Sequence, residues 1–357
     1  MTSLTGPVLV VGAGLLGTSV GLALRARGIE VLLADLNEEN LRTASGLGAG
    51  SPTASTAPDV QLVVVAVPPD HLGEAIAAAL QDTSAVVTDV GSVKGAPLEQ
   101  VRSLVPGETL ARYVGSHPMA GSERSGPLAA SSVLFEGRPW AVAPHTTSSP
   151  DAVALVTALA EACGATPFTF SPEEHDEAVA RTSHLPHVVA ALVAGSLAEA
   201  PTEHLVLSGQ GVRDVTRIAA GDPLLWQQIL SANSAALTGL LREVRAELDG
   251  LLGALESGSR RDLAEILGRG VAGTAVIPGK HGGPAVSVAA VFVAVPDHPG
   301  ELARLFADVG EIGVNVEDVR IDHDPGRPVG LVELTVDADR AEHLCHALAD
   351  RGWSVHR

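Results

Sequence analysis

Apolar residues in the first 170 positions fall into short unbroken runs at Val8–Val11, Val31–Ala34, Leu62–Val67, Ala85–Val87 and Trp140–Ala143. Stretches with a helical period, such as Leu15–Arg27 and Asp151–Cys163, lie between them. Runs that are apolar throughout suit strands buried on both faces, and intervening helices predict a parallel, doubly wound α/β sheet. Pro167–Phe170 reads as its last strand, so the first domain is expected over residues 1–170. Ser171-Pro172-Glu173-Glu174 then opens a helix with a capping Ser, a Pro in the first turn and acids at the positive end of the dipole. From there to Leu267 the pattern stays helical, including Leu224–Leu241 and Leu240–Leu255. Such Ala- and Leu-rich helices fit an intrachain bundle or packing against a second subunit.

Gly268 to Pro284, rich in glycine and proline, reads as a linker and closes a helical region over 171–280. Beyond it the period changes again. Ser287–Val295, Val314–Ile321, Gly330–Val336 and Trp353–His356 read as strands. Glu301–Ile312, with Leu302, Leu305, Phe306 and Val309 on one face, and Asp337–Arg351 read as helices. The order is βαββαβ over 286–357, a ferredoxin-like layout.

The chain has 357 residues, 46% of them hydrophobic and 18% charged, which excludes wholesale disorder and suits more than one core. Its 23 basic against 42 acidic side chains give a net charge of −19, the wrong sign for general binding to nucleic acid or an anionic membrane. An anionic substrate would need a local basic pocket. The two cysteines, Cys163 and Cys345, lie far apart without metal-ligand spacing, which suits a reducing cytoplasm and predicts no metal. The N-terminus lacks the basic segment of a signal peptide, and the apolar run Val286–Val295, interrupted by Ser287, is too short to span a bilayer.

Gly12-Ala13-Gly14-Leu15-Leu16-Gly17 joins the first strand to the first helix. Its glycines permit a tight turn and close approach of backbone to a pyrophosphate, whose charge suits the helix N-terminus. Asp35 follows the next strand, eighteen residues past Gly17, where a carboxylate accepts from a ribose hydroxyl and repels a 2′-phosphate. NAD is therefore expected rather than NADP. Two further segments belong to the carboxyl edge of the sheet, Asp89–Gly95 with Ser92 and Gly115–Glu123 with His117. The helical region adds Ser183-His184-Leu185-Pro186-His187 and Arg213-Asp214-Val215-Thr216-Arg217. A His beside a nicotinamide can accept a hydroxyl proton during hydride transfer, and an Arg can clamp a carboxylate. Taken singly, each residue also fits a bland role: a core hydrogen bond, a turn before Pro118, or a solvated helix face.

These segments, in this order, resemble the signature stretches of the prephenate/arogenate dehydrogenase family of tyrosine biosynthesis, over roughly residues 7 to 280. The tail, with Pro296-Asp297-His298-Pro299-Gly300-Glu301-Leu302, resembles an ACT domain. The resemblance implies a cytoplasmic homodimeric oxidoreductase that carries out NAD-dependent oxidative decarboxylation of a cyclohexadienol. On this analogy His117 accepts the hydroxyl proton and Ser92 bonds near the same hydroxyl. Arg217 binds a substrate carboxylate, His187 and Ser183 position the substrate, and Glu123 gates or polarises the pocket. Trp226 matches a family position near the active site, where packing serves equally well. Arg213 stands where some relatives carry Lys, which keeps the charge but changes the contact. Two basic residues favour prephenate, a dianion, over arogenate. Tyrosine is the natural effector of the ACT domain, with Val286–Val295 expected at a sheet edge suited to pairing across subunits.

Two other classes compete. A β-hydroxyacid dehydrogenase shares the glycine loop, but such enzymes use a helical-domain Lys, and here the lysines are Lys94 and Lys280 alone. A non-enzymatic NAD and amino-acid sensor would not need both His117 and Arg217.

Overall fold

A computed structural model describes residues 3–53, 59–120, 125–277, 287–323 and 329–357. The chain divides into two compact units, Met1–Gly250 and Leu251–Arg357. In the first, β1 (Val8–Val11), β2 (Val31–Ala34), β3 (Ser51–Pro52), β4 (Leu62–Val65) and β5 (Val86–Asp89) form a parallel sheet in the order β3-β2-β1-β4-β5. Its side chains alternate between two cores. Val8, Val10, Leu62 and Val64 pack with Leu24 and Leu159 on one face. Leu9, Val63 and Val65 pack with Ile76, Leu80, Leu98 and Val101 on the other. Both faces are dry, which explains the unbroken apolar runs.

The Trp140 and Pro167 runs do not extend this sheet. They form β7 (Pro139–Ala143) and β8 (Thr166–Thr169) of a second sheet, ordered β6-β7-β8 and led by β6 (Gly115–Pro118). β7 runs antiparallel to β6 and parallel to β8. Between β6 and β7 the described residues hold a 3₁₀ turn at Pro127–Ala129 and no crossover helix, so the chain returns antiparallel. A parallel bridge between Val87 and Tyr113 joins β5 to the entry of β6, so both strands end at the same edge. His117 consequently sits within β6, not after it.

The helical region starts at Pro172–Val179, where Ser171 and Glu174 complete a reciprocal capping box. A wide π-helical turn, Ala180–His184, leads into the helix Leu185–Leu197. Pro186 explains the widening: it has no N–H for the carbonyl four residues back, and its ring crowds that carbonyl. The apolar stretch expected to run from Leu224 to Leu241 is two helices, Pro223–Ala232 and Ser234–Ser257. Asn233, 5% exposed, makes the break and spends its side chain elsewhere, donating to the Asp176 carbonyl at 2.8 Å.

In the second unit, residues 268–275 are helical and not a linker, because the helix Arg260–Ala275 runs through them. Each glycine costs it about 1 kcal/mol relative to Ala. The Ser259 cap and the Glu265–Arg269 pair at 3.4 Å work in the opposite direction. The rest of the expected linker lies mostly outside the described residues. Next come β9 (Val288–Pro296), the helix Glu301–Ile312, β10 (Val316–His323), β11 (Val329–Asp337), the helix Ala338–Asp350 and β12 (Ser354–His356). The sheet is antiparallel in the order β10-β11-β9-β12. β9 is therefore an interior strand, paired on both sides, and the edges belong to β10 and β12. Alternate residues Val291, Val293, Val295, Val332, Leu334 and Val336 pack on Leu305, Val309, Leu344 and Leu348. Leu302 and Phe306 do not share that core: they are 37% and 42% exposed, so the buried stripe is narrower than the sequence period suggests. Among the described residues no helix is long and apolar enough to cross a membrane.

Candidate active site

The loop Gly12–Gly17 leaves β1 at its carboxyl end and enters the helix Leu15–Ala26. Gly12 has φ +101°, and a Cβ there would strike the Ala66 carbonyl; a Cβ on Gly17 would strike the Gly12 carbonyl. Both positions are closed to larger residues, whereas Gly14 faces open space. The Asp35 carboxylate reaches back across the end of β2, accepting from Ala13 N at 2.5 Å and from Asn37 N at 2.6 Å. Ala13 and Asp35 are thus locked in one frame, with further lone pairs on the carboxylate available to hydroxyl donors. An open helix N-terminus beside a fixed carboxylate fits the pyrophosphate and ribose of a dinucleotide.

At the ends of β5 and β6 a buried ion pair fastens the loop that carries Ser92. Lys94 and Asp89 are both within 1% of complete burial and paired. Lys94 Nζ also donates to the Ser116 carbonyl at 2.7 Å. Tyr113 OH donates to Asp89 Oδ1 at 2.8 Å, and Ser116 Oγ donates to the Asp89 carbonyl at 2.8 Å. Every polar atom of the pair has partners, the condition under which such a pair can be buried. The loop bearing half-buried Ser92 is thereby tied to β6, one residue before His117.

His117 Nδ1 lies 3.0 Å from His175 Nε2, and His175 Nδ1 lies 2.9 Å from Asp176 Oδ1. The same Asp176 carboxylate accepts from Lys94 N and Gly95 N, each at 2.8 Å, at the start of the helix Gly95–Leu104. Burial, with His175, Lys94 and His184 nearby acting in the same direction, holds the His117 pKa well below 6.5. His117 is therefore a neutral base at neutral pH.

His184, at the end of the wide turn, is 1% exposed and its pKa is pushed down to about 4, chiefly by burial. Its Nδ1 accepts from Asn233 Nδ2 at 3.2 Å, and its ring meets Trp226 edge-on. His187, one turn on, stacks on the other part of the site: its ring lies 3.5 Å from Trp226 with 7° between the planes. An open pocket of about 390 Å³ is lined by His187, Leu192, Ala219, Pro223, Trp226 and Leu230. Ser183 is half-buried in the turn. Arg213 and Arg217 are exposed on the helix Gln210–Ile218, just before the pocket residue Ala219. The fold thus joins Ala13 to Asp35, the Ser92 loop to His117, and His187 to Trp226, with His184 between the last two groups. It leaves both arginines solvated, and Glu123 lies outside the described residues.

Sequence reading assigned no role to His175, Asp176, Lys94 or Tyr113. The first two directly follow the acidic opening turn Ser171–Glu174. A signal was present: Pro172, His175 and Val179, spaced at helical period, are the buried stripe of that helix.

A model of the prephenate dehydrogenase nucleotide-binding domain matches residues 20–168, and one of the prephenate dehydrogenase dimerization domain matches residues 171–269. "Probable prephenate dehydrogenase NovF" of Streptomyces niveus is 37% identical to this chain, over 97% of it and 98% of that protein. The chain belongs to the prephenate dehydrogenase family. The crystal structure of the Aquifex aeolicus family member, in complex with hydroxyphenyl propionate and NAD+, has a TM-score of 0.68 at 29% identity and covers 75% of this chain and 96% of its own. A Synechocystis arogenate dehydrogenase structure has a TM-score of 0.65 at 26% identity, covering 75% and 98%. The two family models meet between residues 168 and 171, where β8 ends and Ser171 caps the next helix. The first begins beyond the glycine loop, so the loop stands on its own geometry.

Proposed function

We propose that this chain is an NAD-dependent prephenate dehydrogenase of tyrosine biosynthesis, converting prephenate to 4-hydroxyphenylpyruvate and carbon dioxide in the cytoplasm. The observation that carries the reading is His117 at the carboxyl edge of the sheet, hydrogen-bonded to His175, in a chain related over nearly its whole length to a protein named as a probable prephenate dehydrogenase. Gly12, Ala13, Gly14, Leu15, Leu16 and Gly17 hold the pyrophosphate on backbone N–H groups, and Asp35 takes the ribose hydroxyls and disfavours a 2′-phosphate. Bound there, NAD supplies the acceptor for the hydride from C4 of the ring.

His117 Nε2, the ring nitrogen not engaged by His175, takes the proton of the C4 hydroxyl as the C4–H bond breaks. Ser92 holds the same hydroxyl. Loss of the ring carboxylate leaves its bonding electrons in the ring, which becomes aromatic, so the protein mainly orients and accepts a proton. Arg217 and Arg213 bind the two carboxylates, Ser183 and His187 position the substrate, and Glu123 gates or polarises the pocket. Arogenate is the second reading, favoured by likeness to the Synechocystis enzyme.

The regions 1–170, 171–280 and 286–357 serve as NAD-binding, substrate and dimerisation, and regulatory domains. Exposed Leu192, Val206, Leu207 and Leu224 in the helical region support a homodimer. The βαββαβ order with strands β10-β11-β9-β12 supports a ferredoxin-like ACT domain, whose expected effector is tyrosine.

His117→Asn should cut kcat with prephenate by about 100-fold or more while leaving NAD affinity nearly unchanged. In the wild type, kcat/KM needs neutral His117. It should be full at pH 7 and fall only on acidification through a pKa below 6.5, a limb that the variant lacks. Unchanged turnover in His117→Asn would remove that residue from the mechanism.

A further inference from the structure

His117, His175 and Asp176 form one hydrogen-bonded line that crosses from β6 to the first helix of the helical region. The direction of each bond is set by the ring tautomers. Asp176 as a carboxylate only accepts, so His175 Nδ1 carries the proton between them. With the one ring proton of His175 on Nδ1, its Nε2 accepts, and His117 Nδ1 carries the proton between the two rings. That leaves the lone pair of His117 on Nε2, free to take a proton from a hydroxyl. In water the Nε2–H tautomer of a neutral histidine is the more populated, and it is the wrong one for this task. The line is anchored at its far end, because Asp176 also takes two backbone N–H groups from the start of the helix Gly95–Leu104. His175 is 2% exposed, so the bonds are not shared with bulk water.

We infer that His175 and Asp176 are positioning residues that select the base tautomer of His117 and stabilise the imidazolium formed when it accepts the substrate proton. The proton stays on His117 Nε2, and both Nδ1 protons remain between their partners, as a triad carboxylate orients its histidine without being protonated. Because His117 belongs to the nucleotide-binding region and His175 to the helical region, the base is correctly set only when the two are seated together. The groups that face His117 are Lys94, with Asp89 and Tyr113 beneath it, and His175, Asp176 and His184 from the helical side. The inference rests on His117 being the proton acceptor proposed above.

The test compares wild type, His175→Leu and His175→Gln. His175→Leu fills the space without an acceptor, whereas the Gln amide oxygen can still accept from His117 Nδ1. His175→Leu should lower kcat with prephenate by about 100-fold or more, with KM for NAD within about threefold of wild type. His175→Gln should recover most of the loss and keep the acid limb of the pH profile. Long-range ¹H–¹⁵N spectra of ¹⁵N-labelled protein, with the His117 signal identified by its absence in His117→Asn, give a readout independent of turnover. Wild type and His175→Gln should show the Nδ1–H tautomer at His117, and His175→Leu should lose it. The inference is overturned if His175→Leu keeps kcat within threefold, or if the His117 tautomer is the same in all three proteins. A wild type inactive on prephenate would defeat the functional reading instead, while the spectra would still decide the tautomer selection.

Discussion

Asp35 shows how one side chain frames the turn between a strand and a helix. Its two oxygens draw Ala13 N and Asn37 N toward the end of β2, which sets the entry of the first helix before any nucleotide arrives. Gly12 completes that entry with a positive φ and no room beside the Ala66 carbonyl. Gly12→Ala should therefore weaken NAD binding by at least about tenfold and lower stability by about 1–3 kcal/mol, since it adds both strain and a backbone clash. Calorimetric titration with NAD and a urea melt check the two parts. This loop was legible in the sequence because glycine spacing, preceding strand and following helix all serve the same geometry. His175 was not, because its role depends on which strand residue the fold sets opposite it. A sequence pattern gives its buried position on the helix and nothing of that partner.

Among the elements, the breaks carry more information than the bodies. Asn233 interrupts an apolar stretch that sequence period reads as one helix, because its buried amide bonds Asp176 O and His184 Nδ1 instead of facing solvent. Helical period reports which residues share a face and is blind to one residue leaving the ladder. Asn233→Ala should leave those two acceptors without their donor and cost about 1–3 kcal/mol of unfolding free energy, measured in urea. A cost below about 0.5 kcal/mol would mean that the break is not held by these bonds. The glycines after Gly268 mislead in the opposite direction: the helix tolerates their propensity cost, so a composition that suggests a linker continues as helix to Ala275. Ser171, by contrast, was a readable sign, since a capping hydroxyl acts locally.

At the scale of the whole molecule, order along the chain predicted layers better than it predicted sheet partners. The alternation of strand and helix gave the parallel sheet, but strand direction after β6 depends on whether a crossover helix intervenes, and the Trp140 run alone does not say. The interior place of β9 is likewise a matter of pairing, decided by the return of β11 and β12 to either side of it. What the topology achieves is to end β1, β5 and β6 at one edge, with the glycine loop, the Ser92 loop and His117 on it. A protein of net charge −19 that must take up a dianion needs local cations, and exposed Arg213 and Arg217 are the candidates on the helical side. The most direct measurement is a side-by-side rate assay with NAD, offering prephenate and arogenate separately and following reduced nicotinamide and carbon dioxide. The account predicts turnover of prephenate with one carbon dioxide released per reduced nicotinamide, and a much smaller kcat/KM for arogenate. Binding of NAD without turnover of either substrate would contradict it.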